Sequence, residues 1–108
     1  MRFPTRARFE RWLTSLPAVA NSGLSCSNRD CPLARWLRQD VGAPDPYVRP
    51  DKVAHNSCFR YSHDGARRGK LPKWANEFAK KIDHCSPGLA VPVHESLTIL
   101  RAISTKPR

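Results

Sequence analysis

The residues most able to do chemistry form a basic stretch between Arg67 and Lys81. Against the single acid Glu77, this stretch holds Arg67, Arg68, Lys70, Lys73, Lys80 and Lys81. Guanidinium and ammonium groups bind phosphate oxygens, and each phosphate neutralised on duplex DNA contributes about −0.9 to the logarithmic salt slope of binding. Gly69 would allow a flexible loop to follow a phosphate backbone. We therefore predict a non-enzymatic binding protein that contacts nucleic acid or a nucleoprotein through this stretch.

Further cations lie on the first two predicted helices and on one predicted strand. If the fold brings them to the same side, Arg6, Arg11, Arg35 and Arg38 would extend the basic surface. Arg60 lies between Phe59 and Tyr61, which could stack on the bases of a single strand if they are exposed. Each of these rings is more typical of a core residue. The alternative for all of these charges is a solvated surface that keeps a small protein soluble.

The cysteines and histidines offer enough ligands for one tetrahedral zinc ion. Four residues separate Cys26 from Cys31 and two separate His55 from Cys58, and there is no CxxC pair. If zinc is bound, we predict these four residues as its ligands, and the protein would be a small zinc-stabilised interaction module. We favour the alternative of no cofactor, in which Cys31 begins a helix and Cys58 is a small buried strand residue.

Two groupings could support catalysis. Cys58 with His55 or His63 could form a thiolate and base, and His63 with Asp64 could contribute to a metal-dependent nuclease. Chance adjacency in the sequence explains both groupings, and we predict no enzyme and no catalytic residue.

The basic stretch overlaps the strongest helical pattern in the chain, over Pro72–His84. Leu71, Trp74, Ala75, Phe78 and Ile82 recur at offsets of three and four, which places them on one side of a helix. Pro72 suits the first turn, and the segment 86–88 ends the helix.

The remaining elements follow from the same periodicities. We predict helices from Thr5 to about Leu16, over Cys31–Asp40 with a stop at Gly42, and from Pro92 to about Ile103. The predicted extended segments are 18–26, 47–49, 52–55 and 57–62. The connection over 85–92 is too long for a helix-turn-helix motif.

Composition places these elements in one small domain. The 108 residues are 40% hydrophobic, include three tryptophans and carry a formal net charge of +10. By segment the charge is +4 over 1–40, 0 over 41–66, +5 over 67–81 and +1 over 82–108. No apolar run is long enough to span a membrane, and the charged start is not a secretory signal. We expect a cytoplasmic protein with reduced cysteines and no membrane partner.

The predicted fold class is α+β, with a single domain over 1–104 and a frayed tail over 105–108. About four short helices would pack on a small antiparallel sheet formed by the middle of the chain. The expected core residues are Trp12, Leu16, Leu33, Trp36, Leu37, Trp74, Phe78, Ile82, Leu97 and Leu100.

Three segments give the chain a resemblance to known proteins: CPLARWL from Cys31, WANEFAKKID from Trp74 and HESLTIL from His94. They resemble a loose group of small uncharacterised bacterial proteins that phages and other mobile elements often carry. The resemblance implies a shared fold and no known activity. It also implies an alternative function, an inhibitor that docks on a host defence nucleoprotein, as anti-CRISPR proteins do.

Overall fold

The computed structural model describes residues 3–25, 27–50, 59–83 and 89–103. In chain order these form α1 (Arg6–Thr14), β1 (Asn21–Leu24), α2 (Pro32–Trp36) continued by a π-helix (Leu37–Val41), β2 (Tyr47–Pro50), β3 (Phe59–Ser62), β4 (Gly69–Lys70), α3 (Lys73–Asp83), β5 (Ala90–Pro92) and α4 (Val93–Ala102). The predicted α+β class is confirmed. The predicted tail over 105–108 and strand over 52–55 lie outside the described residues.

Local signals in the sequence set where the first two helices begin. The Thr5 hydroxyl accepts a hydrogen bond from the backbone N–H of Arg8 at 3.3 Å and so caps α1. The Cys31 sulfur accepts from the backbone N–H of Ala34 at 3.4 Å, with Pro32 in the first turn of α2. The interpretation of Cys31 as a helix-start residue is therefore confirmed.

The second helix ends in a π-helical turn that the sequence did not predict. Its wider winding places Asp40 so that one carboxylate oxygen accepts hydrogen bonds from the Trp36 indole N–H and from Arg8 Nε, each at 3.1 Å. Gly42 follows with a φ of 85°, the left-handed conformation that ends many helices. The predicted stop at Gly42 is correct.

Two small antiparallel sheets organise the strands. The predicted sheet in the middle of the chain is present, with strand order β2-β3-β4. A second sheet, which the sequence did not predict, pairs β1 with β5. Between these strands the buried Ser22 hydroxyl lies 2.6 Å from the Val91 carbonyl, to which it donates, and 2.8 Å from the Ser96 hydroxyl.

Aromatic side chains from α1, α2 and α3 form the centre of the core. The Phe9 ring lies 4.8 Å from that of Trp36 and 5.1 Å from that of Phe78, measured between centroids. Of the predicted core residues, Leu16, Trp74 and Leu97 are only partly buried, and the others are buried. The Cα radius of gyration of 12.7 Å is close to the ~13 Å expected for one compact domain of this length.

Candidate functional site

Several predicted binding residues of the first two helices are engaged within the fold. The Arg6 guanidinium donates to the carbonyls of Leu100 at 2.6 Å and Ile103 at 3.1 Å, at the end of α4. A cation there complements the negative end of the helix dipole and satisfies carbonyls that the helix leaves free. The geometry thus gives Arg6 a structural role.

Carboxylates lie beside most of the other arginines in this part of the fold. Arg35 and Arg38 both approach Asp30, at 4.0 and 3.2 Å. The further ion pairs join Arg8 to Asp40, Arg29 to Asp45 and Arg101 to Glu10. Each pair has at least one exposed member, so its contribution to stability is small. Their effect on the surface potential is larger, because each carboxylate cancels part of the positive potential of the arginine beside it.

The cations of the predicted basic stretch are arranged differently. Among the described residues, no ion pair or side-chain hydrogen bond involves the charged groups of Arg67, Arg68, Lys70, Lys73 or Lys80, nor that of Arg11 on α1. Lys81 differs from these residues because it interacts with another group. Lys80 and Lys81 occupy the last turn of α3, where the helix dipole favours cations, and this is a sufficient structural reason for both. The unpaired charge therefore concentrates between Arg67 and Lys73.

The register of the three-stranded sheet places three cations in one row. Arg49 on β2 lies directly opposite Arg60 on β3, and Arg60 lies directly opposite Lys70 on β4. Directly opposed residues of antiparallel strands project from the same face, so the row crosses the sheet over two strand spacings, about 10 Å. The neighbouring row of Val48 and Tyr61 is buried against the core. The Arg49–Arg60–Lys70 row thus occupies the outer face.

The three side chains of this row differ in solvent exposure and in their contacts. Arg60 is half-buried and engaged in a further contact, whereas Arg49 and Lys70 are exposed. The Arg49 guanidinium lies over the Tyr47 ring at 5.0 Å from its centroid, and Arg29 approaches the same ring at 5.9 Å. This cation–π contact restrains Arg49 without neutralising it.

One expectation about this sheet is wrong and one is confirmed. Gly69 is not in a flexible loop, because it pairs with Tyr61 as part of β4. Phe59 and Tyr61 are each only 8% exposed and belong to the core, as we favoured, so the alternative of a stacking platform for bases is excluded. Both rings lie on the inward face of their strand.

A cavity of about 420 Å³ lies beside the end of β3, on the side of Tyr61. Its wall includes Tyr61, His63, Asp64, Arg67 and Arg68. His63 is 8% exposed and stands edge-on to the Tyr61 ring at 5.3 Å, and neither of its ring nitrogens has a hydrogen-bond partner among the described residues. A buried polar group without a partner costs about 1–3 kcal/mol. Such a group beside two arginines marks the cavity as a candidate binding site.

The two titratable groups of this cavity shift in ways that geometry explains. Burial lowers the pKa of His63, against the opposing effect of the neighbouring Asp64 carboxylate, so the imidazole is neutral at pH 7. Hydrogen bonds from the backbone N–H groups of Arg67 and Ala66 lower the pKa of Asp64, and the Ser62 hydroxyl adds a third. Asp64 is therefore ionised and closes the turn after β3.

A second cavity, of about 240 Å³, lies within the apolar core between α2, α3 and the sheet. Its wall is mainly apolar, from residues such as Leu33, Phe59 and Ile82, and suggests no chemistry.

The zinc hypothesis can be followed at only one of its four ligands. Cys31 is described and buried, while Cys26, His55 and Cys58 lie outside the described residues. In the described ranges no group of three or more His, Cys, Asp and Glu side chains is placed to hold a metal. The pairing of Cys58 with His55 or His63 likewise falls partly outside these ranges. The expectations of no metal and no enzyme stay predictions.

Sequence reasoning did not predict Arg49 as a binding residue, and it considered His63 only within two catalytic groupings. Because Val48 is apolar and its neighbour Arg49 lies on the opposite face of the strand, Arg49 could have been expected to face outward. No pattern in the sequence could have shown that Arg49 and Lys70 share a row, because strand register is a tertiary property.

Within the described part of the chain no helix is long and apolar enough to cross a membrane. The resemblance to mobile-element proteins stays a prediction, because the comparisons with known proteins give it no support. No family model, no curated protein and no solved structure matches this chain.

Proposed function

We propose that this protein is a non-enzymatic binding protein that holds a polyanion, a nucleic acid or the nucleic acid of a nucleoprotein, against the outer face of the β2-β3-β4 sheet. The observation that carries the proposal is the register that aligns Arg49, Arg60 and Lys70 in one row. Lys73, exposed at the start of α3, continues the basic surface beyond Lys70.

The arrangement of charge favours a polyanion over simple solubility. Arg49 and Lys70, at the two ends of the row, are exposed, and no ion pair among the described residues involves either of them. Most arginines of the first two helices are paired with carboxylates or bound to helix carbonyls. A phosphate backbone would supply an anionic partner for Arg49 and Lys70.

The dimensions of the row also suit a phosphate backbone. Duplex DNA carries one negative charge per about 1.7 Å of its axis, so a row of about 10 Å faces several phosphates at once. Lysine and arginine contacts to phosphates fix position without reading sequence. We therefore expect binding with little sequence preference.

The test is fluorescence anisotropy of labelled single-stranded and duplex DNA and RNA, repeated from about 50 to 200 mM salt. The wild-type protein should bind with an affinity that falls steeply as salt rises. The double variant Arg49→Ala/Lys70→Ala should bind more weakly and make the logarithmic salt slope on duplex DNA shallower by about 1.8, or 0.9 for each lost phosphate contact.

A charge-matched control separates the row from net charge. Arg8→Ala/Arg101→Ala removes the same two charges from exposed positions on α1 and α4 and should leave the slope at the wild-type value. Equal effects of the two double variants would contradict the proposal, since binding would then depend on total charge alone. If nothing binds even at low salt, a pull-down after exhaustive nuclease treatment becomes the test of the inhibitor alternative.

A further inference from the structure

The cavity beside β3 is distinct from the cationic row on the outer face. Residues alternate along β3, so Tyr61 faces away from Arg60, and the cavity is on the Tyr61 side. Arg67 and Arg68, which the sequence groups with Lys70, line this cavity, whereas Lys70 belongs to the row. The two features can therefore bind separately.

The polar groups of the cavity match a phosphate group. Arg67 and Arg68 are exposed, and no carboxylate among the described residues pairs with them. A guanidinium is planar and can donate two parallel hydrogen bonds to phosphate oxygens. The neutral imidazole of His63 can donate one more N–H, and both of its nitrogens lack a partner among the described residues.

Asp64 does not prevent an anion from entering. Its carboxylate is part of the cavity wall and would repel a phosphate if it were unpaired. However, one of its oxygens already accepts hydrogen bonds from the Ser62 hydroxyl at 3.2 Å and from the backbone N–H groups of Ala66 and Arg67, each at 2.9 Å. These donors stabilise the ionised carboxylate, and the two guanidinium groups of Arg67 and Arg68 outweigh its single negative charge at the cavity wall.

The burial of His63 favours one kind of phosphate group over another. His63 is 8% exposed and both of its ring nitrogens are enclosed, so a ligand reaches an N–H only if it projects a group into the cavity and the ring turns to meet it. A phosphodiester within a strand continues on both sides and offers only two unbridged oxygens. A phosphomonoester ends its molecule and presents three oxygens to donors on different sides.

We propose that the cavity bounded by Tyr61, His63, Arg67 and Arg68 binds a phosphomonoester, either a free mononucleotide or the phosphorylated end of a nucleic acid strand. Arg67 and Arg68 bind the phosphate oxygens, and His63 donates from the inner wall. This site does not depend on the cationic row, so either proposal can fail without the other.

Isothermal titration calorimetry with adenosine 5′-monophosphate tests the site, with adenosine as the matched ligand that lacks a phosphate. The wild-type protein should bind the nucleotide saturably and should not bind the nucleoside. Arg67→Ala/Arg68→Ala should weaken binding about tenfold or more, because it removes the charge-assisted hydrogen bonds. Arg8→Ala/Arg101→Ala, which removes the same charge elsewhere, and Arg49→Ala/Lys70→Ala should both bind the nucleotide as the wild type does.

A second variant addresses the buried donor. His63→Phe keeps a ring of similar shape and removes both nitrogens, so the protein should stay folded by circular dichroism and bind the nucleotide more weakly. The proposal is overturned if the wild-type protein does not bind the nucleotide, or if Arg67→Ala/Arg68→Ala binds it with wild-type affinity. Oligonucleotides with and without a 5′-phosphate then distinguish the two sources: a preference for the phosphorylated strand indicates a strand end, and equal binding indicates a free nucleotide.

Discussion

At the scale of single residues, His63 stands out among the described side chains because both of its buried ring nitrogens lack a hydrogen-bond partner there. Its ring packs edge-on to Tyr61 and is almost fully buried. A histidine in this position lowers stability without a ligand and can raise it when a ligand supplies the missing partner.

The same burial makes stability depend on pH in a defined direction. Because burial lowers the pKa of His63 in the folded protein below its ordinary value of 6.5, the unfolded chain takes up the proton first as pH falls. Neutral His63 therefore contributes fully to the free energy of unfolding above pH 6.5, and this contribution is lost as pH falls toward the pKa in the folded protein. For one proton, the free energy of unfolding falls by at most about 1.4 kcal/mol per pH unit.

His63→Phe should remove this contribution, so the free energy of unfolding should fall less between pH 7 and pH 5 than in the wild type. Urea denaturation at several pH values measures the difference, with both proteins compared at pH 8 as the reference. If the free energy of unfolding varied with pH in the same way in both proteins, burial of His63 would not contribute to the pH dependence of stability.

At the scale of elements, the helices were predictable because their signals are local. Thr5, Pro32 and Gly42 mark helix boundaries through contacts within a few residues, and the apolar spacing of α1 and α3 identifies their buried faces. The π-helical turn was not predictable, because the apolar spacing of the segment does not distinguish it from a continued α-helix, and the Asp40 carboxylate that it positions meets Arg8 on another helix.

The strands show where sequence reasoning ends. β1 and β5 pair across 66 or more residues, as in the match of Leu24 with Ala90, and nothing local in either segment specifies that partner. β4 has only two residues, too few for any periodicity. The candidate site shares this limit, because the basic residues were evident but their division between a row and a cavity follows from register.

The contact between β1 and α2 gives a test at this scale. A Cβ on Gly23 would lie 2.7 Å from both the Asp30 carbonyl oxygen and the Cys31 carbonyl carbon, and neither backbone atom can move aside easily. Gly23→Ala should therefore lower the free energy of unfolding by about 3 kcal/mol or more. Gly42→Ala is the control, because that position has open space around it and should cost only about 1 kcal/mol, from its left-handed backbone. Urea denaturation compares the two, and equal losses would mean that the strand shifts to admit the methyl group.

At the scale of the whole molecule, the net charge of +10 says less than its distribution. Among the described residues, ion-paired arginines lie around α1, α2 and α4, while Arg49 and Lys70 on the outer sheet face and Arg67 and Arg68 at the cavity have no ion pair. Net charge alone predicts only nonspecific attraction to polyanions. The distribution predicts that removing different cations will have different effects.

Lys70 should show this difference most clearly, because there stability and binding oppose each other. Lys70→Gln relieves repulsion with the directly opposed Arg60, so it should raise the free energy of unfolding by a few tenths of a kcal/mol at low salt, and the gain should vanish near 1 M salt. The same variant should bind polyanions more weakly. Arg8→Gln is the counterpart, because it breaks the 3.1 Å pair with Asp40 and should lower stability with little effect on binding. Thermal unfolding at low and high salt, together with anisotropy, measures both quantities. A Lys70→Gln variant that loses stability and keeps its affinity would mean that Lys70 supports the sheet and does not contact a partner.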